Sequence, residues 1–131
     1  MSQSYRHDRT SVSLLNYHFV WIPRRRRLVL IGPVAERLKV LIHEVAAEQE
    51  CTVVALEVLP DHVHLFLNCP PTIAPYQLMF LIKGRTARVL RKEFGYLLKL
   101  PSMWTRSYFV SSAGNVSSDT IKRYIAEQTS R

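Results

Sequence analysis

The stretch Thr52–Asn68, TVVALEVLPDHVHLFLN, decides the fold. It holds two runs rich in β-branched and apolar residues, Thr52 to Leu59 and His62 to Asn68, separated only by Pro60-Asp61. Such runs read as strands, and Pro-Asp between them reads as a tight turn. So short a link permits only an antiparallel hairpin, because a parallel pair needs a crossover of about a dozen residues or more. In the second strand, alternation puts Val63, Leu65 and Leu67 on one face and His62, His64, Phe66 and Asn68 on the other. The apolar set suits a face covered by helices. The two histidines fall on the open face, about 7 Å apart along the strand.

The elements on either side complete the pattern. Upstream, Val12 to Ile22 (VSLLNYHFVWI) is a strand closed by Pro23, followed by a basic turn, Arg24-Arg25-Arg26-Arg27, and a short extended LVLIG. Pro33 suits a first helical turn, and Val34, Leu38, Leu41, Ile42 and Val45 recur at helical spacing, which predicts an amphipathic helix of about four turns. Downstream, Pro70-Pro71 stop the hairpin and a second long helix runs from Ala74 to Phe94, with Gly84 as its weak point. Gly95 to Pro101 is a loop, Tyr108 to Ser112 a fourth strand, and Gly114-Asn115 a turn. A last helix starts at Ser117 or Ser118, either of which can be its N-cap, with Asp119 in the positive first turn. Residues 1–11 are polar and expected to be a flexible lead-in. The order β-α-β-β-α-β-α predicts an α+β class, with a ferredoxin-like (RRM-like) sheet, both long helices on one face, and an added C-terminal helix.

Composition narrows the partners. The 131 residues make one domain, 1–131, large enough to bury roughly two-thirds of its unfolded surface. With 47% of residues hydrophobic, a folded core is expected rather than disorder. Eighteen Lys and Arg against ten Asp and Glu give +8, a strong positive field for so small a domain, which favours phosphate-rich partners. Cys51 and Cys69 lack C-x-x-C spacing, which argues against a zinc ribbon and offers no disulfide framework; a reducing cytoplasm fits. The N-terminal MSQSYRHDRTS lacks the apolar core of a signal peptide, and no apolar run approaches a membrane span, so no membrane partner is expected.

Imidazole is the commonest side-chain metal ligand, yet a bare His-x-His on a strand is more often two surface histidines. The last helix, SSDTIKRYIAEQTSR, adds Tyr124 and Gln128, four residues apart and so on one helical face. Gln128 offers an amide oxygen. Tyr124 offers a phenol, a poor nucleophile at its free pKa near 10 unless a metal polarises a phosphoryl group and holds it in line. Taken alone, Tyr124 packs as well with Ile121 and Ile125, leaving Gln128 to solvent. Asp61 is either a partner that orients the His62 ring or a turn residue, and Glu57 has no assignment. Candidate phosphate contacts are Arg24, Arg25, Arg26 and Arg27 in the turn. On the second helix they are Arg85, Arg88 and Lys92 on one face, with Lys83 and Arg91 flanking. Trp104 and Tyr108 are either base-stacking platforms or core.

Together, the His62-Val63-His64 strand, the Tyr-x-x-x-Gln helix and the blocks YHFVWIPRRRR, EVLPDHVHLFL, IKGRTARVL and WTRSYFVSSAGNVSSDTIKRYIAEQ resemble one family. This is the single-tyrosine HUH transposases of small single-strand-DNA insertion sequences, a superfamily that includes the REP-associated tyrosine transposases. The resemblance covers most of the chain. It implies that His62, His64 and Gln128 hold a divalent metal ion, Mg²⁺ or Mn²⁺, and that Tyr124 is the nucleophile. It also implies cleavage of single-stranded DNA through a 5′-phosphotyrosine, rejoining by a 3′-OH, and recognition of DNA hairpins at element ends. A homodimer with active sites completed across subunits, in a prokaryotic cytoplasm and nucleoid-associated when bound to DNA, goes with it. Four arginines follow the first strand's proline where relatives often have an aromatic and fewer arginines, which leaves the DNA contacts of that turn open. Two rivals remain: a non-catalytic RRM-like nucleic-acid-binding module, and a metal hydrolase using water in which Tyr124 is incidental.

Overall fold

The computed structural model describes residues 3–112 and 118–127. Along them run β1 Arg6–His7, β2 Val12–Ser13, β3 Leu15–Trp21, α1 Gly32–Glu48, β4 Thr52–Leu59, β5 His62–Cys69, α2 Pro75–Glu93, β6 Phe109–Ser112 and α3 Ser118–Glu127. Single 3₁₀ segments follow β3, at Arg24–Arg26, and α2, at Gly95–Lys99. Four strands form one antiparallel sheet in the order β4-β5-β3-β6. The β4-β5 hairpin turns at Pro60-Asp61, as the two-residue link requires. α1 joins β3 to β4 with β5 lying between them, and α2 joins β5 to β6 with β3 between. Each crossover therefore passes over one strand, a split βαβ arrangement. The chain is α+β, as its element order predicts.

One face of the sheet makes the core. Phe19 and Trp21 of β3 and Val63, Leu65 and Leu67 of β5 pack against Val34, Leu38, Leu41, Ile42 and Val45 of α1 and Leu78, Met79, Ile82 and Leu90 of α2. Full burial of each such side chain is worth about 1.5–3 kcal/mol. Pro33 occupies the first turn of α1. Gln77 closes the first turn of α2 by accepting from the Ala74 backbone N–H at 2.8 Å, which satisfies a donor the helix itself leaves unpaired. On the opposite face a smaller cluster joins Val20 and Ile22 to Ile125 of α3, with Phe109 and Tyr124 against it. α3 therefore lies over the face that carries the histidines.

The polar lead-in holds a short ladder, Arg6 with Ser13 and His7 with Val12. Asp8 shapes its turn by accepting from the Thr10 and Ser11 N–H groups, each at 3.1 Å. Arg6 ties the ladder to the sheet, donating to Asn68 Oδ1 at 2.9 Å and to the Asn68 carbonyl at 3.0 Å.

Candidate active site on the histidine face

Cross-strand partners share a face, so the strand register maps the site. One row runs Glu57, His64, Val20, Phe109 across β4, β5, β3 and β6; the next runs Ala55, Phe66, His18, Ser111. His62 lies one step further along β5, paired with Leu59. The His62 and His64 rings lean together, with centroids 4.9 Å apart and planes at 70°. Two side chains that alternation alone would space along the strand thus converge.

Each ring is held from behind. The Nδ1 of His62 lies 2.8 Å from Asp61 Oδ1, and the other Asp61 oxygen is 3.4 Å from Arg26 Nε. Arg26 reaches Asp61 from a tight turn in which Arg25 and Arg26 have φ of 57° and 53°. Left-handed backbone costs a non-glycine residue roughly 1–2 kcal/mol. Three backbone hydrogen bonds fix that turn: Arg26 N–H to the Pro23 carbonyl at 2.8 Å, Arg24 N–H to the Met103 carbonyl at 2.9 Å and Arg27 N–H to the Arg24 carbonyl at 3.4 Å. The Nδ1 of His64 lies 3.2 Å from Nε2 of His18. His18 is buried and stacks on Phe66, with centroids 4.1 Å apart and planes within 8°. Burial, and secondarily the neighbouring His64, draw His18 down to about 4, so it is neutral at pH 7. Burial lowers His64 as well, with His62 adding to the effect and Glu57 opposing it. Asp61 and His18 thus occupy the two Nδ1 atoms, and no hydrogen bond from a described residue reaches Nε2 of either His62 or His64.

Tyr124 joins this face from α3. Its hydroxyl lies 3.4 Å from Ser107 Oγ, and its ring packs on Phe109 at 6.1 Å. Phe109 pairs with Val20 and Val20 with His64, so the phenol and the imidazoles stand on one surface, two strands apart. Burial holds the phenol above its usual range, and the Ser107 contact pulls weakly the other way. Ser107 is itself anchored. Lys83 Nζ donates to the carbonyls of Thr105, Arg106 and Ser107 at 2.7, 3.1 and 3.2 Å, and burial draws this lysine down to about 8. Thr105 N–H adds a bond to the Ile22 carbonyl at 3.1 Å. Gln128, the Gly114-Asn115 turn and the N-cap serines lie outside the described residues or side chains. Among the described residues no three His, Cys, Asp or Glu side chains are grouped as a metal site.

The basic candidates divide. Lys83 clamps a loop rather than facing solvent. Arg85 makes a two-point contact with Glu48, 2.7 Å on each side, Arg24 donates to Ser102 Oγ at 3.1 Å, and Arg26 serves Asp61. Arg25, Arg27, Arg88 and Lys92 are exposed and make no ion pair with a described residue. Trp104 is core: it is buried, meets Trp21 edge-on at 6.0 Å and donates from Nε1 to Thr86 Oγ1 at 3.0 Å. Tyr108 is half-buried beside Lys83.

Sequence reasoning missed His18 and Ser107. A signal for His18 existed: Phe19 and Trp21 alternate into the core, which turns His18 toward the histidine face. Nothing local marks Ser107.

Comparison with known proteins identifies the family. The family described as "Transposase IS200 like" matches residues 11–128. The ISDra2 transposase TnpA of Deinococcus radiodurans is 32% identical over 117 residues, covering 87% of this chain and 84% of that protein. The transposase for insertion sequence element IS200 of Salmonella typhimurium is 26% identical, covering 86% and 75%. A crystal structure of a transposase from Deinococcus radiodurans R1 superposes with a TM-score of 0.87 at 33% identity, over 94% of this chain and 97% of that one. A REP-associated tyrosine transposase bound to a REP hairpin shares the fold, with a TM-score of 0.55 at 19% identity over 95% and 68%. On the extent of these matches, the chain belongs to the IS200-like transposase family.

Proposed function

We propose that this chain cuts and rejoins single-stranded DNA with Tyr124 as nucleophile and with His62, His64 and Gln128 holding a divalent cation, Mg²⁺ or Mn²⁺. The observation that carries the proposal is the arrangement of the histidine face. Two converging imidazoles have their Nδ1 atoms engaged by Asp61 and His18, and the Tyr124 phenol lies on the same surface. This donor set fits a metal: two imidazole nitrogens braced from behind need one more donor, and an amide oxygen from Gln128 is a neutral one. Nitrogen donors favour Mn²⁺ over Mg²⁺ in affinity. When bound, the cation polarises the phosphoryl oxygens of the scissile phosphate.

The chain's own groups do the rest. The Tyr124 oxygen bonds to phosphorus and the bond from phosphorus to the 3′ oxygen breaks. The phenol proton is given up, the departing oxygen ends as a 3′-OH, and a 5′-phosphotyrosine remains. An incoming 3′-OH reverses the step and returns a proton to Tyr124, so bond energy is conserved and no nucleotide cofactor is consumed. Burial keeps the phenol protonated at rest, and Ser107 fixes its orientation. The substrate we assign is a DNA hairpin at the end of an element, the positive charge of the chain and its exposed Arg25, Arg27, Arg88 and Lys92 supplying phosphate contacts. The cellular setting we assign is a prokaryotic cytoplasm, nucleoid-associated when DNA is bound; no described helix is long and apolar enough to cross a membrane.

The test is incubation of labelled single-stranded hairpin DNA with protein and Mn²⁺, followed by denaturing electrophoresis. An SDS-resistant adduct that disappears in Tyr124→Phe is expected. DNA binding with neither cleavage nor adduct would return the chain to a binding module, and cleavage without an adduct to a water-using hydrolase. The proposal includes a homodimer with sites completed across subunits. Mixing inactive His62→Ala and Tyr124→Phe proteins should then restore adduct formation, while two proteins that stay inactive together would place each site within one copy.

A further inference from the structure

His18 is a buried imidazole that braces His64 but takes no part in the bond-making steps above. It is locked in place on three sides: its ring stacks on Phe66, Phe109 meets it edge-on at 6.4 Å, and its Nε2 lies 3.2 Å from Nδ1 of His64. Two neutral imidazoles at that distance share one proton between the facing nitrogens, and which ring owns it matters. If His18 donates, His64 carries its own proton on Nε2 and has no lone pair to offer there. If His64 donates from Nδ1, its Nε2 lone pair is free.

The first choice and the second differ in what they ask of the far side of His18. When His64 donates, His18 carries a proton on Nδ1, an atom that is buried with no partner among the described residues. A buried donor without an acceptor is costly. The strand register places a hydroxyl there that can accept. Ser111 of β6 is the direct cross-strand partner of His18, and its Oγ is likewise buried and unpartnered among the described residues. Opposed residues of an antiparallel pair have Cβ atoms about 4.5–5.5 Å apart, which puts the serine side chain beside the imidazole.

We infer that His18 is a positioning residue that holds His64 in the form with its proton on Nδ1 and its Nε2 lone pair free for a divalent cation, with Ser111 accepting from the far nitrogen of His18. This rests on the reading of His64 as a metal ligand. It gives the two ligands unlike supports: a carboxylate, Asp61, behind His62 and an imidazole behind His64. Such supports are worth about 10- to 100-fold in metal affinity.

The experiment has two readouts. Long-range proton–nitrogen NMR on metal-free, ¹⁵N-histidine-labelled protein, at a pH above the imidazole range, reports which nitrogen of His64 is protonated. Nδ1 is expected. Mn²⁺ titration followed by electron paramagnetic resonance then compares the wild type with His18→Phe, which keeps the stacked ring, and His18→Gln, which restores an acceptor. Affinity should drop at least tenfold in His18→Phe and recover in His18→Gln, with Ser111→Ala showing a smaller loss. Protonation of His64 on Nε2 in the wild type, or unchanged Mn²⁺ affinity in His18→Phe, overturns the inference. Should His18→Phe fail to fold, the wild-type NMR result decides alone. Failure of the metal-site reading itself shows separately, as Mn²⁺ binding that survives His62→Ala.

Discussion

The two faces of the β4-β5-β3-β6 sheet are made by neighbouring residues of the same strands. On one stand Phe19, Trp21, Val63, Leu65 and Leu67, sealed under α1 and α2. One step along the chain, on the other, stand His18, Val20, His62, His64 and Phe66, with a small cluster under α3. The first face stores stability in buried apolar area. The second carries polar groups and ties three of them to partners: His62 to Asp61, His64 to His18, Tyr124 to Ser107. The division of labour is set by strand alternation, so a shift of one residue in register would exchange the two roles entirely.

The sharpest way to break this contrast uses adjacent residues. Leu65→Ala should cost about 2–5 kcal/mol of stability by the cavity it leaves, read from urea unfolding. His64→Ala should change stability by about 1 kcal/mol or less yet abolish the Mn²⁺-dependent adduct. If Leu65→Ala were mild, or His64→Ala severe in unfolding, the faces would not divide as described.

pH separates the faces next. His18 is held near 4 in the fold against 6.5 for a free imidazole. Between those values the unfolded chain binds more protons, so the contribution of neutral His18 is fully present above pH 6.5 and declines as pH falls toward 4. Its slope is up to about 1.4 kcal/mol per pH unit. Unfolding of metal-free protein across that window should show the decline, and His18→Phe should flatten it.

Asp61→Ala, which removes the carboxylate behind His62, should weaken Mn²⁺ binding about 10- to 100-fold with little change in melting temperature. The smallest expected effect concerns where DNA runs. Arg27 follows the turn that touches Asp61, and Arg88 lies on α2 across the sheet. If single-stranded DNA reaches both sides, replacing either by Ala should flatten the slope of log K against log salt by about 0.7. A change at Arg27 alone would confine the path to the histidine face.

Much of this was legible in the sequence, and the exceptions have physical causes. The Pro60-Asp61 hairpin and the alternation of β5 follow from local rules, so Val63, Leu65 and Leu67 could be sent to the core and His62 and His64 away from it. α1 starts one residue before Pro33, and α2 lies within a residue of its expected bounds at each end. His18 was obscured because Val12 to Ile22 is apolar almost throughout, which hides its alternation, and because its partner is 46 residues away. Lys83 was counted among phosphate contacts from charge and helical spacing alone. What decides its role is a set of loop carbonyls, at Thr105, Arg106 and Ser107, that no helical pattern records. Trp104 offered stacking and core with equal justice until its indole N–H found Thr86.

The thin cluster beneath α3 has a consequence of its own. Of the helix's described side chains, only Ile125 is buried and Tyr124 half-buried, while Asp119, Lys122, Arg123, Ala126 and Glu127 face water. A helix of 10 residues is marginal without packing. Its opening free energy should therefore lie far below that of β3 or β5, and its amides should exchange with deuterium long before those of the central strands. Tyr124, the nucleophile we propose, rides on an element that costs little to lift, while the imidazoles it would meet sit on the central strands of the sheet.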